Sequence, residues 1–375
     1  MERFWSGFRW LVLAAAAVAA VAAPASAQVT PAAGYTPPDD TPSIKVGATI
    51  FMDYTFQQEP KIKDADGNLV TLSSFNVSRS YINITGNISH LVAFRITPDI
   101  TRETGVGSSL NGSYTFRIKY AFAQINLDDW MTKGSWVRLG VQQTPYVDYA
   151  EGIYRYRFQG TIFTEREGYM SSSDAGASFH YNLAQNYGDF HAGFYNGENY
   201  NRAEVNNNKS FQIRGTLRPL AHGDMNLRGL RITGFYNADK YVNSADRNRG
   251  LFEVSYEHRY LNAAFDYLRT RDQTSATKTA TDGNGWSTWF TPKFPIASKP
   301  GASLEGLFRF DQYEPNRTFS DQKHKRQIVG VSYWFPHQGG VSSAILLDYD
   351  NATFDNFTPS QPTQRKIAIH GLINF

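Results

Sequence analysis

The sequence predicts an all-β protein, a transmembrane antiparallel β-barrel of about sixteen strands. Three observations lead to this prediction. Short segments along the chain alternate between apolar and polar residues, which is the two-residue period of a β-strand. The connections between these segments are alternately short and long. The last segment runs to Phe375 with alternating residues, and such a strand protects its free edge best by pairing with the first strand.

The amino terminus predicts an exported protein with a cleaved signal peptide. Two arginines precede the apolar run 11–23, and a small-x-small cleavage site ends at Ala27. We expect residues 1–27 to be removed during export and the Pro-rich residues 28–43 to form a flexible leader before a barrel domain of residues 44–375. An uncleaved membrane anchor is the alternative, but the apolar run is short for a membrane span.

Composition narrows the class of protein further. No stretch after residue 27 has 18 consecutive apolar residues, so the sequence predicts no transmembrane helix. The mean hydropathy of −0.45 fits a barrel, because half of each strand faces water. Aromatic residues make up 15% of the chain, which suits girdles at two membrane surfaces. Cysteine is absent, which excludes disulfides and thiol chemistry, and the net charge of +3 does not indicate a nucleic-acid partner.

The alternating segments assign one face of each strand to lipid and the other to a lumen. A soluble β-sandwich also alternates, but here the polar faces carry many charges, which favours a polar interior. The clearest segments lie near residues 46–56, 92–100, 114–122, 211–217 and 367–373. In the third of these, the predicted lipid face consists of Tyr114, Phe116, Ile118, Tyr120 and Phe122, and the predicted lumen face of Thr115, Arg117, Lys119 and Ala121.

The third long connection, near residues 144–173, differs from the others in length and composition. At about thirty residues it is longer than ordinary loops, and its many aromatic residues argue against disorder. We expect this third external loop to fold into the barrel and narrow the lumen. Arg155, Arg157 and Arg166 would then stand in the passage. The spacing of the first two predicts that they point the same way if the chain is extended. Another long connection is predicted at 57–74.

Charged residues on the predicted lumen faces are unevenly distributed. Basic residues dominate the first half of the barrel and acidic residues the second, so one wall would be basic and the other acidic. Rows of Arg and Lys favour anions, whereas opposed walls are also typical of a general diffusion pore. The basic set is Arg95, Arg117, Lys119, Arg138, Arg214, Arg218 and Arg231. The acidic set is Glu253, Glu257, Asp266, Glu305 and Asp311, with Arg309 as an exception. The predicted pore-lining or constriction residues are Arg95, Arg117, Lys119, Arg138, Arg155, Arg157, Arg166 and Arg214.

Signatures of enzymes and metal sites are missing from the sequence. It contains no GxSxG, HExxH, Walker or CxxC motif, and its eight histidines are scattered. The sequence therefore predicts no enzyme activity, no cofactor and no metal site. The motif DADGN at 64–68 resembles part of a calcium loop, but it lacks the later Glu of that loop and favours a simple turn.

Several stretches resemble the phosphate-selective porin O and P family. They are RSYINITGNISHLVAFRITPDITRETG, GSYTFRIKYAFAQINLD, WVRLGVQQTPYVDYAEGIYRYRFQGTIF and SSSDAGASFHYN, within about residues 44–220. The resemblance implies a sixteen-stranded, usually trimeric barrel that passes phosphate or other small anions through a constriction lined by Arg and Lys. The carboxy-terminal Phe375 also resembles the assembly signal of bacterial outer-membrane barrels.

The expected function is therefore a passive channel for small hydrophilic solutes, with a preference for anions, in the outer membrane of a Gram-negative bacterium. Its expected partners are outer-membrane lipid, small anions and two further copies of itself. Two alternatives stay open. The first is a general or carbohydrate-selective porin, because the loop aromatics could stack on sugar rings. The second is an outer-membrane barrel enzyme such as a lipid hydrolase, which would need a Ser–His pair at the lipid face.

Overall fold

A computed structural model describes residues 40–105, 107–319, 321–337 and 339–375. The predicted signal peptide, and the predicted leader up to residue 39, lie outside these residues. The strands are β1 (Ser43–Lys63), β2 (Leu69–Asn87), β3 (Val92–Arg102), β4 (Tyr114–Asn126), β5 (Trp136–Gln143), β6 (Ser173–Asn182), β7 (Gly188–Tyr195), β8 (Ser210–Leu217), β9 (Leu230–Ala238), β10 (Lys240–Val242), β11 (Ala245–Glu257), β12 (Leu261–Asp272), β13 (Thr281–Pro295), β14 (Ser303–Glu314), β15 (Lys323–Trp334), β16 (Ser342–Asp355) and β17 (Gln364–Asn374). The helices are α1 (Val147–Tyr154), α2 (Phe163–Arg166) and a 3₁₀ turn, Ala184–Asn186.

The strands form a closed antiparallel barrel. The last strand, β17, pairs with β1 from Asn374 opposite Thr49 to Arg365 opposite Glu59, so the sheet has no free side. The three-residue β10 pairs with the start of β11, and β11 pairs along its length with β9. The ring therefore contains sixteen strands, β1–β9 and β11–β17, as the sequence predicts. In the part of the chain that is described, no helix is long and apolar enough to cross a membrane.

The two faces of the sheet differ in the way that the alternation predicts. On β17, His370 and Leu372 are buried, while Ile369 and Ile373 on the other face are exposed. On β8, Arg214 is also buried, on the same interior face as His370 and Leu372. The exposed face is apolar around the barrel and the buried face is largely polar, which is the arrangement of a barrel with a lipid-facing exterior and a polar interior.

One predicted face assignment, on β4, is wrong. Tyr120 and Phe122 are only 5% and 8% exposed and lie on the interior face, not on the lipid face. The pairing of β3 with β4 shifts at Pro98, which leaves Lys119 without a partner on β3. Proline has no N–H to continue the ladder, and one extra residue in a strand reverses its alternation beyond that point. Ala123 consequently takes the exposed position that the sequence gives to its neighbour Phe122.

The first predicted long connection, 57–74, is also wrong. Strand β1 continues to Lys63 and β2 begins at Leu69, so residues 64–68 alone make the turn. A carboxylate oxygen of Asp64 accepts the backbone N–H of Asn68 at 2.8 Å, and Gly67 adopts the positive φ of 84° that the turn requires. The motif DADGN is thus a hairpin turn. Charged residues before the turn do not stop the strands, because both faces of this projecting hairpin are largely exposed.

Candidate functional site

The segment 144–172, between β5 and β6, packs against the interior face of the barrel. The single hydroxyl proton of Tyr146 is shared between Glu253 on β11, at 2.8 Å, and Asp266 on β12, at 3.2 Å. The Tyr156 hydroxyl donates to Glu305 on β14 at 2.8 Å. These contacts join residues more than 100 positions apart in the chain. The segment therefore covers the wall formed by the later strands.

Aromatic residues hold the segment in place. The ring of Tyr154 meets that of Trp289 at 5.1 Å, and Tyr156 and Phe158 meet Trp334 at 5.8 and 6.0 Å. All three of these segment aromatics are nearly fully buried. Each buried aromatic of this size contributes about 1.5–3 kcal/mol relative to exposure, so the cluster is strong enough to fix a segment that contains only two short helices.

The acidic wall that the sequence predicts exists, but other groups occupy it. Its carboxylates lie on the interior faces of β11, β12 and β14. Glu253, Asp266 and Glu305 accept hydrogen bonds from the segment's tyrosines. Glu257 pairs with Arg231 at 2.6 Å and Asp311 with Arg309 at 2.7 Å. Each of these carboxylates therefore contacts a protein donor and is buried, although one oxygen of Glu253 has no hydrogen-bond partner.

The opposite side of the interior, formed by β17 and β1–β5, is less covered. Where the segment approaches β1, β2 and β17, a cavity of about 180 Å³ remains, which we call the narrow recess. Arg79, Arg157 and Lys366 line it together with Asp53 and His370. Each of the three cations has a carboxylate neighbour. They are Asp99 for Arg79 at 2.6 Å, Glu151 for Arg157 at 2.7 Å, and Asp350 for Lys366 at 3.7 Å.

A second cavity, of about 270 Å³, lies nearer the short turns and is lined by β1–β5; we call it the basic recess. Lys45, Arg95 and Arg138 line it. The strand pairing brings them together. Lys45 on β1 is opposite Thr85 on β2, and Thr85 is opposite Arg95 on β3. Strand β4 lies between β3 and β5, which carries Arg138. Among the described residues, no carboxylate lies within 4 Å of Arg95 or Arg138.

Neutral groups and rings hold these two arginines instead. Arg95 donates to Thr97 at 3.0 Å and to Asn83 at 2.9 Å, and its guanidinium lies 4.4 Å from the ring of Tyr120. Arg138 donates to Gln124 at 2.7 Å and to Gln143 at 3.0 Å. Its guanidinium carbon lies 4.5 Å from the ring centre of Phe122 and 3.7 Å from that of Trp136. Both positive charges are thus positioned by neutral groups and rings, without a direct ion-pair partner.

The other predicted site residues divide into two groups. Arg117 and Lys119 lie on the same side of the interior as the two recesses, where Arg117 pairs with Asp99 at 2.8 Å and the buried Lys119 stands over the rings of Tyr81 and Tyr120. Arg155, Arg166 and Arg214 hold the segment itself. Their partners are Trp334 for Arg155, Gln159 for Arg166, and Asp189, Tyr149 and the carbonyl of Pro145 for Arg214.

The expectation that Arg155 and Arg157 point the same way is wrong. Helix α1 ends at Tyr154, and the capping residue Arg155 has a left-handed conformation with φ of 61°, so the chain is not extended there. Arg155 turns towards Glu305 at 3.8 Å, and Arg157 towards Glu151 and the narrow recess.

Sequence reasoning missed Arg79, Asp99 and Tyr200 as a unit. One oxygen of Asp99 accepts from Arg79 at 2.6 Å, from Arg117 at 2.8 Å and from the Tyr200 hydroxyl at 3.2 Å, while its other oxygen is buried without a hydrogen-bond partner. Tyr200 belongs to the connection between β7 and β8, which therefore reaches across the interior to β3. No local sequence pattern predicts this contact, because its partners are about 100 residues apart.

Comparisons with known proteins agree with the barrel. No protein-family model matches the chain, and no curated protein matches it by sequence. Solved structures do match. The anion-selective porin from Comamonas acidovorans has a TM-score of 0.60 at 10% identity, covering 89% of this chain and 100% of that one. OmpF of Salmonella typhi, in complex with daunomycin, has a TM-score of 0.59 at 12% identity, covering 88% and 97%.

A third structure, the in-vitro-folded trimer form of OmpT, an outer membrane protein of Vibrio cholerae, has a TM-score of 0.54 at 12% identity, covering 90% of this chain and 100% of that one. Identities this low establish the shape of the barrel and nothing about its solute. The chain has the closed antiparallel barrel fold of these outer-membrane proteins.

Proposed function

We propose that this protein is an outer-membrane porin, a water-filled channel for passive diffusion of small hydrophilic solutes that prefers anions. The observation that carries the proposal is the charge of the less covered side of the interior. Strands β1–β5 contribute six cations to this part of the interior, Lys45, Arg79, Arg95, Arg117, Lys119 and Arg138, against the two carboxylates of Asp53 and Asp99. The acidic wall opposite is covered by the segment 144–172.

The field of these cations is large enough to select ions. An uncompensated charge a few ångströms from a passing ion, at the effective dielectric of a partly desolvated channel, contributes about 1 kcal/mol or more, which is roughly a fivefold preference. Rows of basic side chains in a pore supply such a field and replace part of the hydration shell of an anion. The family resemblance extends the proposal to phosphate or polyphosphate as the permeant anion.

Location and assembly follow from the same proposal. The predicted signal peptide would deliver the chain through the inner membrane, and the apolar exterior of the barrel suits outer-membrane lipid. We propose a homotrimer, supported by the resemblance and by the trimer form of the OmpT structure. We also propose that the segment 144–172 sets the constriction, since its Arg157 lines the narrow recess.

The alternatives receive less support. Sugar stacking would need accessible rings, but Tyr154, Tyr156 and Phe158 are at most 3% exposed. A lipid hydrolase would need a serine next to a histidine at the lipid face. Among the hydrogen bonds of the described residues, no serine hydroxyl contacts a histidine ring. A general porin without ion preference remains the main competitor, and it differs from the proposal in one measurable quantity.

That quantity is the reversal potential of the reconstituted full chain in a planar bilayer under a gradient of potassium chloride. We expect the sign of a chloride preference. A matched variant, Arg271→Gln, removes a cation that is 48% exposed outside the lumen and should leave the potential unchanged. A reversal potential near zero would favour the general porin, and a cation preference would contradict the proposal. Hydrolysis of lipid by a protein that shows no conductance would favour the enzyme.

A further inference from the structure

The basic recess combines features that a path for hydrated ions does not need. Arg95 and Arg138 each have two of their three guanidinium nitrogens bonded to uncharged acceptors, at 2.7–3.0 Å. One nitrogen of each, Nη1 of Arg95 and Nη2 of Arg138, has no hydrogen-bond partner among the described residues. Both side chains are partly exposed, so two donor groups with uncompensated charge face the same cavity.

An aromatic side chain lies between the two arginines. Phe122 is directly opposite Arg95 in the pairing of β3 with β4, and the guanidinium of Arg138 lies 4.5 Å from the centre of its ring. Ala93 adds a second apolar group to the lining of the recess. The cavity thus has the two arginine donors at its polar side, with Lys45 also in its lining, and apolar carbon beside them. Its volume, about 270 Å³, is below the range of drug-sized pockets and suits a ligand with a single ring.

We propose that the basic recess is a binding subsite for small aromatic carboxylates. This inference rests on the proposed function, because the ligand must enter through the channel. The two carboxylate oxygens would accept from the unused nitrogens of Arg95 and Arg138, and the ring would lie against Phe122 and Ala93. Charge-assisted bonds to a carboxylate are the strong polar term, and removal of the ring from water adds the apolar term.

The same geometry disfavours phosphate as the tightest ligand of this recess. Phosphate is strongly hydrated, and a site that binds it must replace its water with several donors. The two arginines offer one unused nitrogen each, and Lys45, the third cation of the recess, already has an interaction of its own. A monoanionic carboxylate with an apolar body loses less hydration and gains the contact with the ring. The recess should therefore rank benzoate above acetate, and both above inorganic phosphate.

The experiment measures the chloride current of the reconstituted full chain as benzoate, acetate, inorganic phosphate or benzyl alcohol is added. We expect benzoate to halve the current at a concentration at least about tenfold below that of acetate. Arg95→Gln and Arg138→Gln should each raise the half-blocking benzoate concentration by about tenfold. Phe122→Leu should weaken benzoate and leave acetate unchanged. Arg271→Gln serves as the matched control.

Binding is measured separately by saturation-transfer NMR on the detergent-solubilised chain, so rapid passage of benzoate cannot hide the subsite. Each variant is first checked for a folded barrel by its heat-dependent migration on a gel. Equal effects of acetate and benzoate, or tighter binding of phosphate or benzyl alcohol, would overturn the inference. If the channel shows no chloride preference but benzoate binds, the proposed function fails and the subsite stands. If the channel prefers chloride but does not discriminate between acetate and benzoate, the proposed function stands and the subsite fails.

Discussion

Arg155 and Arg157 show how much one backbone angle decides at the scale of a residue. They are two positions apart, yet the left-handed conformation of Arg155 sends their side chains to different places. Arg155 lies on Trp334 at 4.2 Å, near Glu305, on the covered wall. Arg157 lines the narrow recess. A pattern of residue types contains no information about such an angle, so sequence reasoning placed both in the passage.

This difference gives a paired prediction. Arg157→Gln removes a cation from the narrow recess and should lower the anion preference by roughly fivefold, which corresponds to about 1 kcal/mol. Arg155→Gln should leave the preference nearly unchanged, because its guanidinium lies on Trp334 at the covered wall and does not line the narrow recess. The reversal potential in a salt gradient measures both. A larger effect of the Arg155 variant would place the constriction on the other side of the segment.

We expect a pH-dependent contact at His90, which lies in the short turn between β2 and β3. Its two ring nitrogens lie 2.5 Å from Asp40 and 3.0 Å from Asp129. The hydrogen bonds to Asp40 and then Asp129 raise the pKa of His90 above its usual range. The contact is therefore complete below the ordinary pKa of histidine and is lost as the pH rises through the raised pKa of the folded protein. It ties Asp40, the start of the described chain, to the barrel.

A spin label attached through Thr41→Cys would report this contact, because Thr41 is exposed and adjacent to Asp40 and the chain has no other cysteine to react. We expect the mobility of the label to increase as the pH rises above the ordinary pKa of histidine and through the raised pKa of His90. In the same labelled chain with His90→Gln, the mobility should be high and independent of pH. If the pH dependence of the label survives in that variant, another group controls the leader.

At the scale of elements, the segment 144–172 depends on a few hydroxyl groups. The Tyr146 hydroxyl serves two carboxylates, Glu253 and Asp266, which face each other across β11 and β12. Tyr146→Phe keeps the ring but leaves these buried carboxylates without their donor, at a cost of about 1–3 kcal/mol. We expect a partly released segment, seen as larger fluctuations of the single-channel current. Tyr267→Phe, on the exposed face of β12, should have no such effect. Quiet channels in both variants would show that the aromatic cluster alone fixes the segment.

Prediction from sequence worked best for elements whose signal is local. Alternation located the sixteen strands, and the length and aromatic content of residues 144–173 distinguished that connection from the others. It failed where the signal is not local. The bulge at Pro98 reversed the faces of Tyr120 and Phe122, and pairing between β1 and β2 extended a hairpin through charged residues. The pairing of Tyr200 with Asp99 depends on the closed shape of the barrel, and no sequence window contains both.

For the whole molecule, closure is the property that sets stability. Sixteen strands pair in a ring, so every strand has two neighbours and the backbone polar groups are satisfied within the sheet. We therefore expect the purified protein to migrate as a compact form on a detergent gel until it is heated, with a circular-dichroism spectrum dominated by β structure. Identical migration before and after heating, or a helical spectrum, would contradict the closed barrel.

The seam of the ring ends at Phe375, which contributes both backbone and side chain. Its N–H donates to the carbonyl of Ala48 at 3.0 Å, and its carbonyl accepts from Ala48 at 2.9 Å. The residue is 62% exposed. Two backbone hydrogen bonds contribute about 1–3 kcal/mol together, which is a small part of the stability of a closed barrel. An exposed aromatic at the end of a strand is suited to a second role, in recognition or in the membrane interface.

Two substitutions separate these roles. Phe375→Asp keeps both backbone bonds and removes the aromatic ring, so a loss of seam stability cannot explain a large defect. If the ring is an assembly signal, this variant should accumulate in the outer membrane at a small fraction of the normal level, whereas Phe375→Trp should assemble normally. The amount of heat-modifiable protein in outer-membrane fractions measures both. Normal levels of folded Phe375→Asp would mean that the ring is dispensable and that the terminus acts through its backbone alone.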